Sequence, residues 1–373
     1  MSNKESNDLV SYNVGGKCTI GIERDLCPKL QMKLGHVRCE ADRHDLVITE
    51  GKSPKMYENL KDKLSFVNDS YRPVLVAMRP TADQMLVKSG SYEIVRQGGV
   101  YVISPQGIIC HGAILDAYVE HSLLRPLINS LLVPKGAILA HGGAVSYKGK
   151  VLLFLGESGK TSLTLELLSR GAQYMGEEYV ILDSDGTCTM YTPYMWMDDR
   201  HFIFYPELLR TSYPDPKQRK RVEKNISLFR MGYLGFRGNN FFSRQARELL
   251  TTRMYFEGLT CRFDQPFPQA KHVESAKIDH VFHLESRKTD DLIVPSTPQD
   301  IAATESAVIW IRTGYHAILA SLAGMPHTSW EETRRTLENS LLKAECHRVG
   351  MKLRDERSQT DIRKTVDAML DAI

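Results

Sequence analysis

The stretch VLLFLGESGKTSLTLELLSRG, residues 151–171, decides the fold. An uninterrupted apolar run, Val151 to Leu155, is a buried strand in the making. It breaks at Gly156-Glu157-Ser158-Gly159, and from Thr161 to Arg170 leucines recur at helical spacing. Gly171 stands where a helix C-terminus favours glycine. Strand, tight glycine turn, helix is therefore the expected local order. A helix opening directly on such a turn presents unpaired backbone N–H groups and the positive end of its dipole, which together attract a polyphosphate. On this reading Lys160 contacts the terminal phosphates and the Thr161 hydroxyl ligates Mg²⁺. Gly156, Glu157, Ser158, Gly159, Lys160, Thr161 and Ser162 form the expected cofactor-binding set. The bland counterpart is a plain strand-to-helix turn. The usual phosphate loop places a first glycine five residues ahead of its Gly-Lys pair, where this chain has Phe154; counted from Gly156, the loop is two residues short.

Outward from that core, Ala137 to Leu139 reads as a second apolar strand, separated from Val151 by HGGAVSYKGK. Tyr179 to Leu182 and Cys188 to Tyr191 read as strands of a hairpin around Asp-Ser-Asp-Gly-Thr. Leu115 to Leu132 has helical periodicity and stops at Pro134-Lys135-Gly136. From Gly35 to about Gly107 short β-like runs alternate with turn residues. Another strand is expected at His280 to Leu284, and helices at Pro298 to Leu322, Ser329 to Val349 and Asp361 to Ile373. The expected fold is α/β: a mixed sheet bearing the phosphate loop, a small β-rich N-terminal region and C-terminal helices. The corresponding divisions are 1–110, 111–300 and 301–373.

Composition limits the function. The chain has 373 residues, 42% hydrophobic and 25% charged, enough for a sizeable core of about two domains. Lys and Arg outnumber Asp and Glu by 48 − 45 = 3, too few for a whole-surface nucleic-acid or membrane binder. Seven scattered cysteines with no CxxC fit reduced thiols in a cytoplasm. MSNKESNDLV is charged where a signal peptide needs an apolar run, and no later run has the length of a membrane span.

The order of residues from His141 to Val180 resembles the catalytic core of HPr kinase/phosphorylase and, more distantly, the phosphate loop of PEP carboxykinase. His141 lies fifteen residues before Gly156; a Gly-x-Ser-Gly-Lys-Thr loop follows; the helix ends in Glu-Leu-Leu-x-Arg-Gly (Glu166 to Gly171); and Glu177-Glu178 precede a strand, where that family has Asp-Asp. The resemblance implies ATP-dependent phosphorylation of a hydroxyl, in a serine of a peptide or in a small molecule. It makes Glu177 the proton acceptor, Glu178 and Thr161 holders of the metal, Lys160 a contact to the β- and γ-phosphates, and His141 a neighbour of the transferring phosphate. Each longer acid shifts its carboxylate by about 1 Å, a distance that matters for in-line geometry. Two adjacent carboxylates beside a phosphate also require a divalent cation between them. The alternative is a kinase-shaped module without turnover that binds a peptide or protein partner. A homo-oligomer is compatible with either.

Without the resemblance, His141 is a turn histidine at a strand end, and Glu177-Glu178 a solvated pair. Between Thr211 and Arg253 ten basic residues face three acidic ones, with aromatics interleaved. Such a run is a solvated face or a site for phosphate, an acidic peptide or nucleic acid. Arg237, between glycine-flanked neighbours, is its candidate substrate contact. Met195 to His201 reads as a surface turn, Cys346-His347 as helix surface, and the helix with Trp310 as core.

Overall fold

A computed structural model describes residues 9–50, 64–68, 73–78, 85–89, 100–104, 107–111, 114, 116, 119–156, 159–197, 199–235, 260–287, 293–304, 320, 324–326, 328–352 and 357–373. Tyr92 to Val95 within the β-like stretch, the Trp310 helix, Arg237 and the middle of the glycine turn, Glu157 and Ser158, lie outside them. The chain is α/β with mixed sheets and divides into two units: Met1–Lys135 with Trp310–Glu332, and Gly136–Ile309 with Thr333–Ile373.

The first unit holds β1 (Leu9–Val14), β2 (Cys18–Glu23), helix α1 (Pro28–Leu34), β3 (Arg38–Cys39), β4 (Leu46–Glu50), β5 (Leu64–Asn68), β6 (Pro73–Met78), β7 (Met85–Ser89), β8 (Val100–Ser104), β9 (Gly107–His111) and α2 (Arg125–Leu132). The strands form one sheet in the order β3-β1-β2-β4-β9-β8-β7-β6-β5. β2–β4 and β4–β9 pair in parallel and the rest antiparallel. Tyr12, Ile20, Ile22, Leu30, Leu34 and Ile48 are buried. The buried Glu120 carboxylate is bracketed by Arg125 at 2.6 Å and Lys33 at 2.7 Å.

The second unit runs β10 (Ala137–Ala140), β11 (Gly142–Tyr147), β12 (Lys150–Gly156), α3 (Lys160–Ser169), β13 (Gln173–Gly176), β14 (Val180–Asp183), β15 (Thr187–Met190), β16 (Tyr194–Trp196), α4 (Asp199–Phe204), α5 (Pro206–Ser212), α6 (Pro216–Gly235), β17 (Thr260–Arg262), β18 (Ser275–Lys277), β19 (His280–Arg287), β20 (Ile293–Pro295), α7 (Pro298–Ala303), α8 (Trp330–Leu341), β21 (Glu345–Lys352) and α9 (Gln359–Asp371). Its main sheet has the order β13-β11-β12-β19-β21-β20. β12, β19 and β21 run parallel at its centre, with antiparallel strands on both sides. Strands β10, β14, β15 and β18 form a second sheet, and β16 pairs with β17.

Helix α3 is the pivot of this unit. Leu163 and Leu167 pack with Phe154, Phe282, Val349 and α9's Ile362 and Val366, whereas Leu165 and Leu168 join Met195, Met197, Phe202 and Phe263 in a second core. Apolar contact on both sides explains why the leucines of α3 surround it instead of forming one stripe. Glu166 then accepts hydrogen bonds from Arg170 Nε (2.9 Å) and Tyr205 Oη (2.8 Å), so the acid inside the helix is satisfied.

Three sequence expectations are corrected. The helix expected from Ser329 to Val349 stops at Leu341, and Cys346-His347 belong to strand β21, not to a helix surface. In β21, Cys346 is buried beside a parallel neighbour that only the tertiary fold supplies. Met195 to His201 is no surface turn: Met195 and Met197 are fully buried and His201 nearly so, because this segment caps the second core. The described part of the basic stretch is helix α6, where Lys217, Lys220, Arg221 and Lys224 are exposed while Val222 is buried. Among the described residues no helix is long and apolar enough to cross a membrane.

Candidate functional site

Three glycine-dependent approaches put the first turn of α3 where it is. Gly156 closes β12 with φ +108°, and a Cβ there would lie 2.2 Å from the Leu284 carbonyl oxygen. Gly159, the residue before α3, has φ +112°; a Cβ would meet Met351 Sδ at 2.7 Å and Arg357 Nη1 at 2.9 Å. At Gly143 in β11, a Cβ would come within 3.3 Å of Thr164 Oγ1 and 3.8 Å of the Lys160 Cβ. Gly142 and Gly143 of HGGAVSYKGK therefore belong to a strand, and the helix start is pressed against it at Gly143.

The N-cap residue of α3 is Gly159, which has no side chain to offer the helix start. Lys160, its first residue, is buried and its ammonium donates to the Gly156 carbonyl at 2.6 Å, folding back across the turn. Thr161 follows, and its hydroxyl donates to Glu177 Oε1 in a short hydrogen bond. The other carboxylate oxygen, Oε2, accepts from the Trp196 backbone N–H at 3.0 Å. Glu177 is 2% exposed. Burial first, and then the adjacent Glu178, push its pKa up to about 7; the Thr161 and Trp196 hydrogen bonds and His201 oppose that rise. Ser162, next on the helix, has its hydroxyl 3.3 Å from His201 Nε2.

Glu177 and Glu178 sit in the bend between β13 and β14. Gly176 has φ +149° and Glu178 φ +69°; Glu177 reaches inward to Thr161, and Glu178 is half-buried. His141 occupies the break between β10 and β11. Since Ala140 pairs with Val180, its ring comes to 5.4 Å from that of Tyr179, the residue after Glu178. Thus Gly156, Gly159, Lys160, Thr161, Ser162, Glu177, Glu178 and His141 all belong to the same corner of the second unit, built from the ends of β12, β13 and β10 and the start of α3.

Sequence reasoning missed Arg357, Trp196 and His201. Arg357 is buried, donates from Nη2 to the Lys352 carbonyl at 2.8 Å, and sits against Gly159. It lies almost two hundred residues downstream in a segment with no local signature. His201 and Trp196 come from a Met-rich segment whose apolar residues were the available signal for burial. An ammonium, a guanidinium and the open end of a helix face one turn here, and a buried carboxyl of near-neutral pKa bridges a hydroxyl beside it. Such a corner can hold an anion and accept a proton. No family model matches the chain, and no curated protein matches it in sequence.

Proposed function

We propose that the chain is an ATP- and Mg²⁺-dependent phosphotransferase that acts on a hydroxyl, with Gly156 to Thr161 as a shortened phosphate loop. The observation that carries this reading is the hydrogen bond from Thr161 to the buried Glu177, beside the Lys160 ammonium and a helix start whose N-cap is glycine. Phosphoryl transfer asks for charge neutralisation and alignment more than for covalent chemistry, so these few groups are a sufficient set.

In this reading the backbone of Gly156, Glu157, Ser158 and Gly159, with Ser162 behind it, cradles the phosphates, and Lys160 supplies a point charge to them. A threonine hydroxyl and carboxylates are hard oxygen donors of the kind magnesium takes; Thr161 and Glu178 would hold the ion, which would neutralise phosphate charge. Glu177 receives the proton of the acceptor hydroxyl, a task suited to a carboxyl raised toward neutrality. His141, whose ring is 5.4 Å from that of Tyr179, takes the part of a neighbour of the transferring phosphate in this reading.

The test is γ-labelled ATP with serine peptides and small hydroxyl compounds, comparing the wild-type chain with Glu177→Gln. Transfer is expected, falling by about 10²–10⁴-fold in the variant, the range of a lost general base. Equal transfer by both chains would remove Glu177 from its role. Nucleotide bound with no transfer to any acceptor would leave a binding module in place of an enzyme.

A further inference from the structure

The parallel register of β19 and β21 sets His280 opposite Glu345 and Phe282 opposite His347. Side chains alternate along a strand, so these four share one face of the main sheet. They lie at the end away from the glycine turn: Gly156 pairs with Leu284, four residues further along β19, ~13 Å at ~3.3 Å per residue. The rings of His280 and His347 are 6.2 Å apart and both stack along Phe282. One ligand atom from each of His280, Glu345 and His347 falls within 4.8 Å of the other two.

Both ring nitrogens of His280 and Nε2 of His347 are buried and make no hydrogen bond among the described residues; His280 Nδ1 stands 3.1 Å from Glu345 Oε2 without hydrogen-bond alignment. Buried polar atoms are normally paired, and unsatisfied nitrogens of two imidazoles converging on a carboxylate point to an electrophile as their partner. The neighbouring Asp279 is already engaged by the Val151 N–H at 2.8 Å and by Lys150 at 3.9 Å. It is no fourth ligand.

We propose that His280, Glu345 and His347 form a binding site for a divalent transition metal of the zinc class, with the remaining coordination position left to water. Two imidazoles and one carboxylate are the donor set zinc takes when it keeps an open position, and imidazole nitrogen selects against magnesium and calcium. Tetrahedral zinc with bonds of about 2.0–2.1 Å needs ligand atoms roughly 3.3 Å apart. The Glu345 side chain is 70% exposed, so it can turn toward the rings and gives an ion access from solvent. The central strands hold both histidines, so their part of the site is preorganised.

The experiment uses the full chain, stripped with a chelator and dialysed, then titrated with Zn²⁺ by calorimetry and with Co²⁺ by visible absorption. One equivalent is expected, with cobalt d–d bands of nitrogen and oxygen ligands and no thiolate charge-transfer band. Glu345→Gln and His347→Ala should each weaken binding at least tenfold, while their melting temperatures without metal match the wild type. No binding, a thiolate band, or wild-type affinity in either variant would overturn the assignment.

Discussion

Replacing Gly156 by alanine tests how tightly the backbone alone shapes the glycine turn. A side chain at φ +108° costs about 1–3 kcal/mol in backbone strain. The new Cβ would lie 2.2 Å from the Leu284 oxygen, whereas real Cβ contacts essentially never fall below 3.0 Å, so the strands must part by at least 3.0 − 2.2 = 0.8 Å. The obstacle is backbone in a parallel ladder and cannot swing aside. Weakening one or two ladder hydrogen bonds adds about 0.5–1.5 kcal/mol each. The expected loss is therefore about 3–5 kcal/mol. Gly149, in the turn between β11 and β12, is the control: its φ is +81° but nothing lies within 4 Å of the place an added methyl would take, so Gly149→Ala should lose only about 1–2 kcal/mol. Urea unfolding of both variants, with unchanged slopes, gives the comparison. Gly156→Ala within about 1 kcal/mol of Gly149→Ala would refute the reasoning.

Other outcomes follow from packing and charge. Glu120→Ala should destabilise the first unit by about 3–5 kcal/mol, because it leaves the buried Arg125 without its carboxylate; denaturant titration reads the loss. Asp361 caps α9 together with Ser358 and takes Lys352 at 2.7 Å, and these hydrogen bonds hold its pKa down to about 2, below the ordinary 3.8. Its stabilising effect is thus complete above about pH 3.8 and lost as pH falls toward 2. Asp361→Asn should melt below the wild type at pH 7, with a gap of about 0.5–2 kcal/mol that narrows below pH 3.8; a gap independent of pH would contradict this.

The strand, turn and helix of residues 151–171 were legible because each carries a local signal: an apolar run, two glycines, leucine periodicity and Gly171 at φ +89°. Strand β21 was not. Glu345 to Lys352 follows a helix without proline, and its pairing with β19 comes from a segment some sixty residues earlier, a tertiary preference that overrides local propensity. Strand β11 was hidden by Gly142 and Gly143, which look like a loop until β12 is seen paired with them and α3 pressed against Gly143. Within the candidate site, residues contiguous with the turn were readable as a motif. Arg357, Trp196 and His201 were not, since they reach the corner only through folding.

The most direct measurement is calorimetric titration of the full chain with ATP in the presence and absence of Mg²⁺, repeated with Lys160→Ala. The account predicts one nucleotide bound, tighter with Mg²⁺, and affinity lowered at least tenfold once the Lys160 ammonium is gone from beside the Gly156 carbonyl. No heat of binding from the wild-type chain, or equal affinity in the variant, would contradict it.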